Sequence, residues 1–200
     1  MIQPLARLVL VLLALFAGAL AALHAQPYDD TDLRAFLDSG CAAPCFAGIQ
    51  PGVTDIAAAQ MILRDHPWVG GLRFSRGMAL DSGMMSWSWS GAQPDFIDPT
   101  VDGKLWLQAG RVEWVEVATR FAFGDLWLLR EPQSGRISPQ SVEPRQVSHL
   151  VDYDRLEARS QVLCPLLPDG FWRARLVFRV LGDQPPAAIG YQLPRWRGCP

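Results

Sequence analysis

Strict alternation of apolar and polar residues is the feature that most constrains how this chain can fold. In segment 171–180 every second residue is apolar, and the positions between them are mostly arginine. The inward-facing set would be Trp172, Ala174, Leu176, Phe178 and Val180, and the outward-facing set Arg173, Arg175 and Arg179. A period of two is typical of a strand with one buried and one wet face, as in an antiparallel sheet.

Other segments repeat this period or change to that of a helix. Strands are predicted at 84–90, 104–108, 111–119, 147–153 and 155–164, with a hairpin turn at Ala109-Gly110. Short helices are predicted after Asp30 and after Thr54, and a third at 126–129. The proline-containing segments 91–103 and 133–146 are interpreted as loops. Short N-terminal helices followed by an antiparallel sheet predict an α+β fold.

The order of elements is similar in two halves of the chain. Residues 48–119 contain a glycine turn, a helix and then strands, and residues 120–181 contain a short apolar segment and then strands. This order predicts a single globular domain over residues 26–200, in which 48–119 and 120–181 are candidate half-repeats of a degenerate helix-plus-strands unit.

The first 25 residues indicate export. Arg7 precedes a run from Leu8 to Leu23 that has no charged or polar side chain. The run has the length of a signal-peptide core and is slightly short of a comfortable bilayer span. Small residues at its end offer cleavage after Ala21 or Ala25. Residues 1–25 are therefore interpreted as a signal peptide or an uncleaved membrane anchor of a secreted or cell-envelope protein, which would contact the membrane only through residues 8–23.

Net charge argues against one class of partner. The chain has 18 basic and 20 acidic residues. Without its first 25 residues, which contain one arginine and no acid, the counts are 17 and 20, a net charge of −3. Proteins that bind nucleic acid carry clustered positive charge, so we expect no nucleic-acid partner.

Four cysteines, Cys41, Cys45, Cys164 and Cys199, allow three disulfide pairings. Export favours disulfides over free thiols. Cys41 and Cys45 enclose a tight loop that local closure can bridge, which leaves Cys164 to pair with Cys199. A metal site is the weaker interpretation because no histidine lies beside either pair. A redox pair is also weaker because the two-residue spacing of thioredoxin-like motifs is missing.

Two resemblances start from the segment before the second helix. Gly48-Ile49-Gln50-Pro51-Gly52-Val53-Thr54, a helix and then Pro67 resembles the start of small periplasmic SmpA-type lipoprotein domains. Tandem copies of such domains form the fold of β-lactamase inhibitor proteins. Residues 41–69, with the patterns C-x3-C, G-I-x-P-G-V-T and H-P-W-V, are similar to uncharacterised exported bacterial proteins. Both resemblances imply a binding or assembly module outside the cytoplasm, although the lipidated cysteine of the lipoproteins is missing.

Few residues are candidates for chemistry. His66 lies at a helix end, where it can interact with the last carbonyl groups, and His149 lies in a strand-like run. A Ser-His-Asp triad would have to be assembled in space, and no nucleophile-elbow motif supports one. Asp95, Asp98 and Asp102 could hold Ca²⁺, but their proline and glycine neighbours explain them equally well as turn residues. We therefore expect no cofactor and no metal.

Two groups of side chains are candidates for a ligand face. Trp87 and Trp89 lie on the same side of one predicted strand, and aromatic rows of this kind either bind sugars or fill a core. Arg173, Arg175 and Arg179 would form either a basic stripe or a solvated face on another strand.

These observations lead to an expectation for function. We expect an exported, non-catalytic interaction module that binds a protein or a cell-envelope component through its sheet. The alternatives are a carbohydrate-binding module that uses exposed tryptophans and a secreted hydrolase with a spatially assembled site. Exposure of Trp87 and Trp89 would favour the carbohydrate-binding module, and a deep pocket at His66 or His149 would favour the hydrolase.

Overall fold

The structure, a computed structural model, describes residues 2–25, 29–37, 45–76, 81–140, 144–153 and 155–182, together with Tyr191. The chain divides into two compact units, Met1–Thr31 and Asp32–Pro200. The first unit contains helix α1 (Ile2–His24), whose described side chains are exposed. Among the described residues, no helix is both long enough and apolar enough to span a membrane.

The rest of the chain is built on eight antiparallel strands. The strands are β1 (Val69–Arg76), β2 (Gly83–Trp89), β3 (Gly103–Gln108), β4 (Arg111–Ala122), β5 (Ser134–Gln140), β6 (Gln146–Tyr153), β7 (Leu156–Leu163) and β8 (Arg175–Leu181). The helices are α2 (Thr31–Leu37), α3 (Ile56–Asp65), α4 (Phe123–Leu129) and α5 (Pro168–Trp172). The predicted α+β class, with short helices and an antiparallel sheet, is confirmed.

The strand order divides the sheet into two halves. All eight strands form one sheet in the order β1-β2-β3-β4-β8-β7-β6-β5. The first half is α3 followed by β1 to β4, and the second is α4 followed by β5 to β8, with α5 inserted before β8. Each half therefore places its last strand at the centre of the sheet. Half-repeats 48–119 and 120–181 would give this arrangement, and the duplication itself stays a hypothesis.

Strands β4 and β8 join the two halves. They pair antiparallel from Trp114 to Ala118 of β4, and again at Ala122 after an irregularity. Within this irregularity the buried Thr119 hydroxyl donates a hydrogen bond of 2.9 Å to the Leu176 carbonyl oxygen. Because a buried hydroxyl without a partner is destabilising, this bond helps to hold the centre of the sheet where the regular ladder is interrupted.

The core lies on one face of the sheet and has two connected parts. One part packs α3 against the first half, and the other packs residues of α2, α4 and α5 against the second half. Phe36 of α2 contacts both parts, with ring centroids 5.8 Å from Phe96 and 4.9 Å from Phe178. All four helices therefore cover the same face of the sheet.

Local sequence signals explain two of these elements. The β3–β4 turn has φ of 48° at Ala109 and 72° at Gly110, the positive values that two-residue hairpin turns require. Asp55 is the N-cap of helix α3, and its carboxylate accepts a hydrogen bond of 2.8 Å from the Ala58 backbone N–H. The predicted cap was Thr54, one residue too early, and its hydroxyl instead accepts from the Gln50 N–H at 2.9 Å.

The interpretation of residues 133–146 as a loop was wrong. Residues 134–140 form β5 and pair with β6 residue for residue. Pro139 is tolerated because β5 is an edge strand, where a missing backbone donor can face away from the sheet. Strand β1 at the opposite edge was not predicted, since its glycines, Gly70 and Gly71, interrupt the alternation.

The alternating segment 171–180 is a strand only in its second part. Leu176 and Phe178 are buried in β8 as predicted, and Arg175 is exposed. Trp172 was wrongly assigned to the strand, because it ends α5, a short helix with Pro168 in its first turn. Proline fits this position since its fixed φ suits a helix start.

Glycine at position 103 is required by the packing of Trp87. Trp87 is fully buried, and a Cβ at Gly103 would overlap its indole ring. We expect Gly103→Ala to destabilise the protein by about 3 kcal/mol, the upper range for overpacking a core. The control is Gly170→Ala in α5, where the Cβ position is open. Urea unfolding checks this, and equal stability of the two variants would contradict it.

Candidate interaction surface

The face of the sheet opposite helices α2–α5 presents a cluster of apolar side chains. Alternate residues of a strand point to opposite faces, so the strand register identifies which residues share this face. Met84 lies opposite Trp106, Trp106 opposite Trp114, and Trp114 opposite Leu181. We call these four residues the apolar stripe. It crosses four neighbouring strands, a width of about 14 Å at the usual strand spacing.

The apolar stripe remains partly accessible. Met84 is 38% exposed, and Trp106, Trp114 and Leu181 are half-buried. Of the described elements, helices α2–α5 pack on the opposite face of the sheet and do not cover the stripe. Clustered apolar side chains that stay accessible often mark interaction sites.

A row of charged residues lies beside the apolar stripe. Lys104 lies opposite Glu116, Glu116 opposite Arg179, and Arg179 opposite Glu157. Arg179 donates to Glu116 at 2.6 and 3.2 Å and lies 3.6 Å from Glu157. The Lys104 Nζ is 3.9 Å from the Glu116 carboxylate. We call these four residues the charged row. Its two positive and two negative charges alternate, so the row is neutral as a whole.

Arg179 connects the charged row to the apolar stripe. Its guanidinium carbon lies 4.3 Å from the centre of the Trp114 ring, a cation–π distance. Its side chain is only 21% exposed. Arg179 therefore lies on the outward face as predicted, but two carboxylates and an indole ring limit its contact with solvent.

A cleft of about 340 Å³ opens at one end of the apolar stripe. Its lining residues are Gly52, Gln108, Arg111, Val112, Glu113, Trp114, Leu181 and Gly182. Trp114 and Leu181 belong to both the stripe and the cleft, so the two features are continuous.

In the predicted tryptophan face, Trp87 is not available to a ligand. Trp87 is fully buried, and its ring stacks at 6.1 Å on Phe46. Trp89 is half-buried, and its Nε1 donates to the Val101 carbonyl oxygen at 2.8 Å. A ligand face on Trp87 is therefore wrong for this structure, since its strand turns that side toward the helices.

The three candidate arginines do not form one stripe. Arg173 follows α5 and pairs with Asp169 at 2.9 Å, and Arg175 lies 3.5 Å from Asp98. Arg179 belongs to the charged row. Arg173 and Arg175 are exposed, so these two ion pairs contribute little to stability.

His66 has a structural position at the end of α3. Its backbone N–H donates to the Leu63 carbonyl oxygen at 3.3 Å, and its Nδ1 accepts from the Trp68 N–H at 3.3 Å. Its ring lies edge-on to Trp68 at 4.7 Å. Partial burial lowers the pKa of His66 below its usual value.

His149 is buried in the core of the second half. It is 1% exposed, and its Nδ1 lies 3.4 Å from the Ser160 hydroxyl. Its Nε2 lies 2.9 Å from the Tyr191 hydroxyl. The rings of Phe123 and Phe171 lie 4.6 and 4.8 Å away. This burial lowers the pKa of His149 to about 4, so the imidazole is neutral near pH 7.

The three loop aspartates have separate positions. Asp98 accepts hydrogen bonds from the Thr100 backbone and hydroxyl, at 3.1 and 2.7 Å, and these bonds lower its pKa. Asp102 pairs with Arg73 of β1, and Asp95 is exposed. Across the described residues, no three histidine, cysteine or acidic side chains are grouped as metal ligands would be.

Two of the four cysteines lie in the described part of the chain. Cys45 and Cys164 are both disulfide-bonded, and neither is a free thiol. Cys41 and Cys199, which complete the predicted pairs, lie outside the described residues. The pairing itself therefore stays a prediction.

Sequence reasoning missed Trp106 and Trp114, although a signal for Trp106 was present. In segment 104–108, Trp106 shares its alternation phase with Lys104 and Gln108, whereas leucines occupy the other phase. A tryptophan in the polar phase of a strand cannot be part of the main core. Trp114 gives no such signal, because the buried Val112 shares its phase in the sequence and only the irregularity of β4 separates the two faces.

The burial of His149 predicts a pH dependence of stability. Its pKa is about 4 in the folded state against about 6.5 in an unfolded chain, so the unfolded state binds the proton more readily. Its contribution is complete above pH 6.5 and is lost as the pH falls toward 4, by about 3 kcal/mol in total. Urea unfolding of wild type and His149→Leu between pH 4 and 7 measures it. Identical pH slopes of the two proteins would contradict it.

Comparison with known proteins identifies no counterpart for this chain. No protein-family model matches it, and no curated protein or solved structure does so either. The resemblances drawn from the sequence therefore stay predictions.

Proposed function

We propose that the chain is an exported, non-catalytic interaction module whose apolar stripe binds a partner protein. The observation that carries the proposal is the position of Trp106 and Trp114. They are direct cross-strand neighbours on the face that helices α2–α5 leave uncovered. Tryptophan is enriched among the residues that supply most of the binding energy at protein interfaces.

The charged row supports a protein partner over a simple anion. Protein interfaces combine an apolar centre with a polar rim, and the charged row lies directly beside the apolar stripe. Lys104 and Arg179 both contact Glu116, and Arg179 also contacts Glu157. Their positive charge is therefore largely compensated within the sheet, which leaves little to attract an anionic ligand.

The positions of the histidines support a non-catalytic function over a hydrolase. A general base must come within hydrogen-bond reach of its substrate. His149 is only 1% exposed, and His66 lies at the end of α3 rather than in the cleft. His149 therefore lacks the access that a hydrolytic site would need, and His66 does not line the cleft.

A site-specific photo-crosslinker tests the proposed partner surface. Met84 lies in the apolar stripe, and Met61 lies on the outer side of α3, where it is 62% exposed against 38% for Met84. We expect a benzophenone side chain at position 84, introduced in cells, to give a discrete protein adduct, and the same group at position 61 to give none.

Second-site variants make this experiment decisive. Trp106→Ala and Trp114→Ala should each weaken the position-84 adduct at least tenfold, the loss typical of an interface hot spot. The exposed Leu128→Ala in α4 is the control and should leave the adduct unchanged. An adduct of equal yield from both crosslinker positions, or one that survives both tryptophan substitutions, would rule out the apolar stripe.

Export and the disulfide pairs belong to the same proposal. We propose that residues 1–25 are a signal peptide, and that Cys41 pairs with Cys45 and Cys164 with Cys199. The support is the uncharged run behind Arg7 and the disulfide-bonded state of both described cysteines. An oxidising compartment outside the cytoplasm allows such bonds to persist.

One preparation tests both parts of this claim. A C-terminally tagged chain isolated from the cell envelope or medium should have lost its N-terminus at Ala21 or Ala25 when its intact mass is measured. Non-reducing digestion should give the pairs Cys41–Cys45 and Cys164–Cys199. A full-length cytoplasmic product would contradict export, and Cys41 or Cys45 bonded to Cys164 or Cys199 would contradict the pairing.

A further inference from the structure

The cleft is built by a local irregularity of β4. Trp114 lies opposite Trp106, and Val112 lies opposite Leu107, so Glu113 is an extra residue on β4. Such a β-bulge redirects side chains and is common next to binding sites. Here the extra residue, Glu113, and its neighbour Trp114 both line the cleft.

Backbone contacts fix the other wall of the cleft. The Gly52 N–H donates to the Val112 carbonyl oxygen at 2.7 Å, and the Gly182 N–H donates to that of Glu113 at 2.9 Å. Gly52 and Gly182 approach each other closely, since a Cβ at Gly182 would lie 2.8 Å from the Gly52 nitrogen. The two backbones therefore approach so closely that a side chain at position 182 would not fit on this wall of the cleft.

The side chains in the cleft are suited to a neutral polar ligand. Gln108, Arg111 and Glu113 supply an amide, a guanidinium and a carboxylate, which together offer several hydrogen-bond donors and acceptors. Arg111 is held by the carbonyl oxygens of Gly52 and Val53, at 3.5 and 3.3 Å. Arg111 and Glu113 carry opposite charges, so the residues that line the cleft have no net charge.

Trp114 is held in place before any ligand binds. The Arg179 guanidinium lies over its ring, and Glu116 fixes that guanidinium through two hydrogen bonds. A ring that is already ordered loses little conformational entropy on binding. Because Arg179 covers one face of this indole, a sugar ring would place its C–H face on the other face while the polar side chains bind its hydroxyls.

We infer that the cleft binds a neutral saccharide of one or two rings, with Trp114 as the aromatic platform and Glu113 as a hydroxyl acceptor. The cleft volume of about 340 Å³ falls in the lower part of the range of small-molecule sites. This inference goes beyond the proposed function, because a saccharide site at the end of the apolar stripe does not require a protein partner.

The test is titration of the purified full chain with neutral mono- and disaccharides. The panel contains cellobiose, maltose, lactose, N-acetylglucosamine and its β-1,4-linked dimer, and binding is followed by saturation-transfer NMR and calorimetry. We expect at least one sugar to bind. Trp114→Ala should weaken its binding at least tenfold, and Glu113→Gln about tenfold through loss of a charged acceptor.

The matched control for Glu113→Gln is Glu131→Gln, at an exposed position outside the cleft. It should change the affinity less than twofold. Glu113 is also exposed, so its variant keeps the test valid if Trp114→Ala fails to fold. The inference is overturned if no sugar of the panel binds at 10 mM, or if Glu113→Gln and Glu131→Gln bind equally well. The crosslinking experiment at position 84 tests the protein partner of the apolar stripe, so its outcome does not depend on whether a sugar binds to the cleft.

Discussion

The antiparallel pairing of β4 with β8 is the contact on which the rest of the structure depends. Each strand closes one half of the sheet, so this pairing supplies the ladder of backbone hydrogen bonds that joins the two halves. The pairing also determines which side chains of β4 and β8 lie on each face of the sheet. Val117 and Phe178 lie opposite each other on the helix side, and Glu116 and Arg179 lie opposite each other on the other side. One register therefore determines both the core and the charged row.

The distribution of helices gives the second constraint. All of α2–α5 cover one face, and Phe36 of α2 joins the two parts of the core. An antiparallel sheet can leave its other face wet because alternate residues need not be apolar. Here that wet face still carries Trp106 and Trp114. Neither residue is needed to cover the core, and their accessible position is the basis of the proposed function.

Much of the fold could be predicted from sequence because its elements depend on local patterns. The alternation in β2, β7 and β8 and the Ala109-Gly110 turn identified most of the central strands. Strand β5 could not be predicted, since an edge strand pairs on one side only and tolerates Pro139. The helical state of Trp172 depends on packing of α5 against the second half, a tertiary contact that periodicity does not contain.

The candidate site was harder to predict for the same reason. Trp87 and Trp89 were predicted to share a face because they are two residues apart in one strand. Trp106 and Trp114 become neighbours only when β3 pairs with β4. The cleft depends on a bulge and on the approach of Gly52 to Gly182, which are distant in sequence. His149 shares its alternation phase with core residues of β6. Its contact with Tyr191 could not be predicted, because Tyr191 is distant from it in sequence.

Hydroxyl-radical footprinting of the tryptophan side chains tests the central claim most directly, namely that one face of the sheet is covered and the other is open. Side-chain oxidation follows solvent exposure, and mass spectrometry resolves each position. Trp106 and Trp114, which are half-buried, should be oxidised early, and Trp87, which is fully buried, should be protected until the protein unfolds. Oxidation of Trp87 as fast as that of Trp106 and Trp114, or protection of all three, would contradict the account.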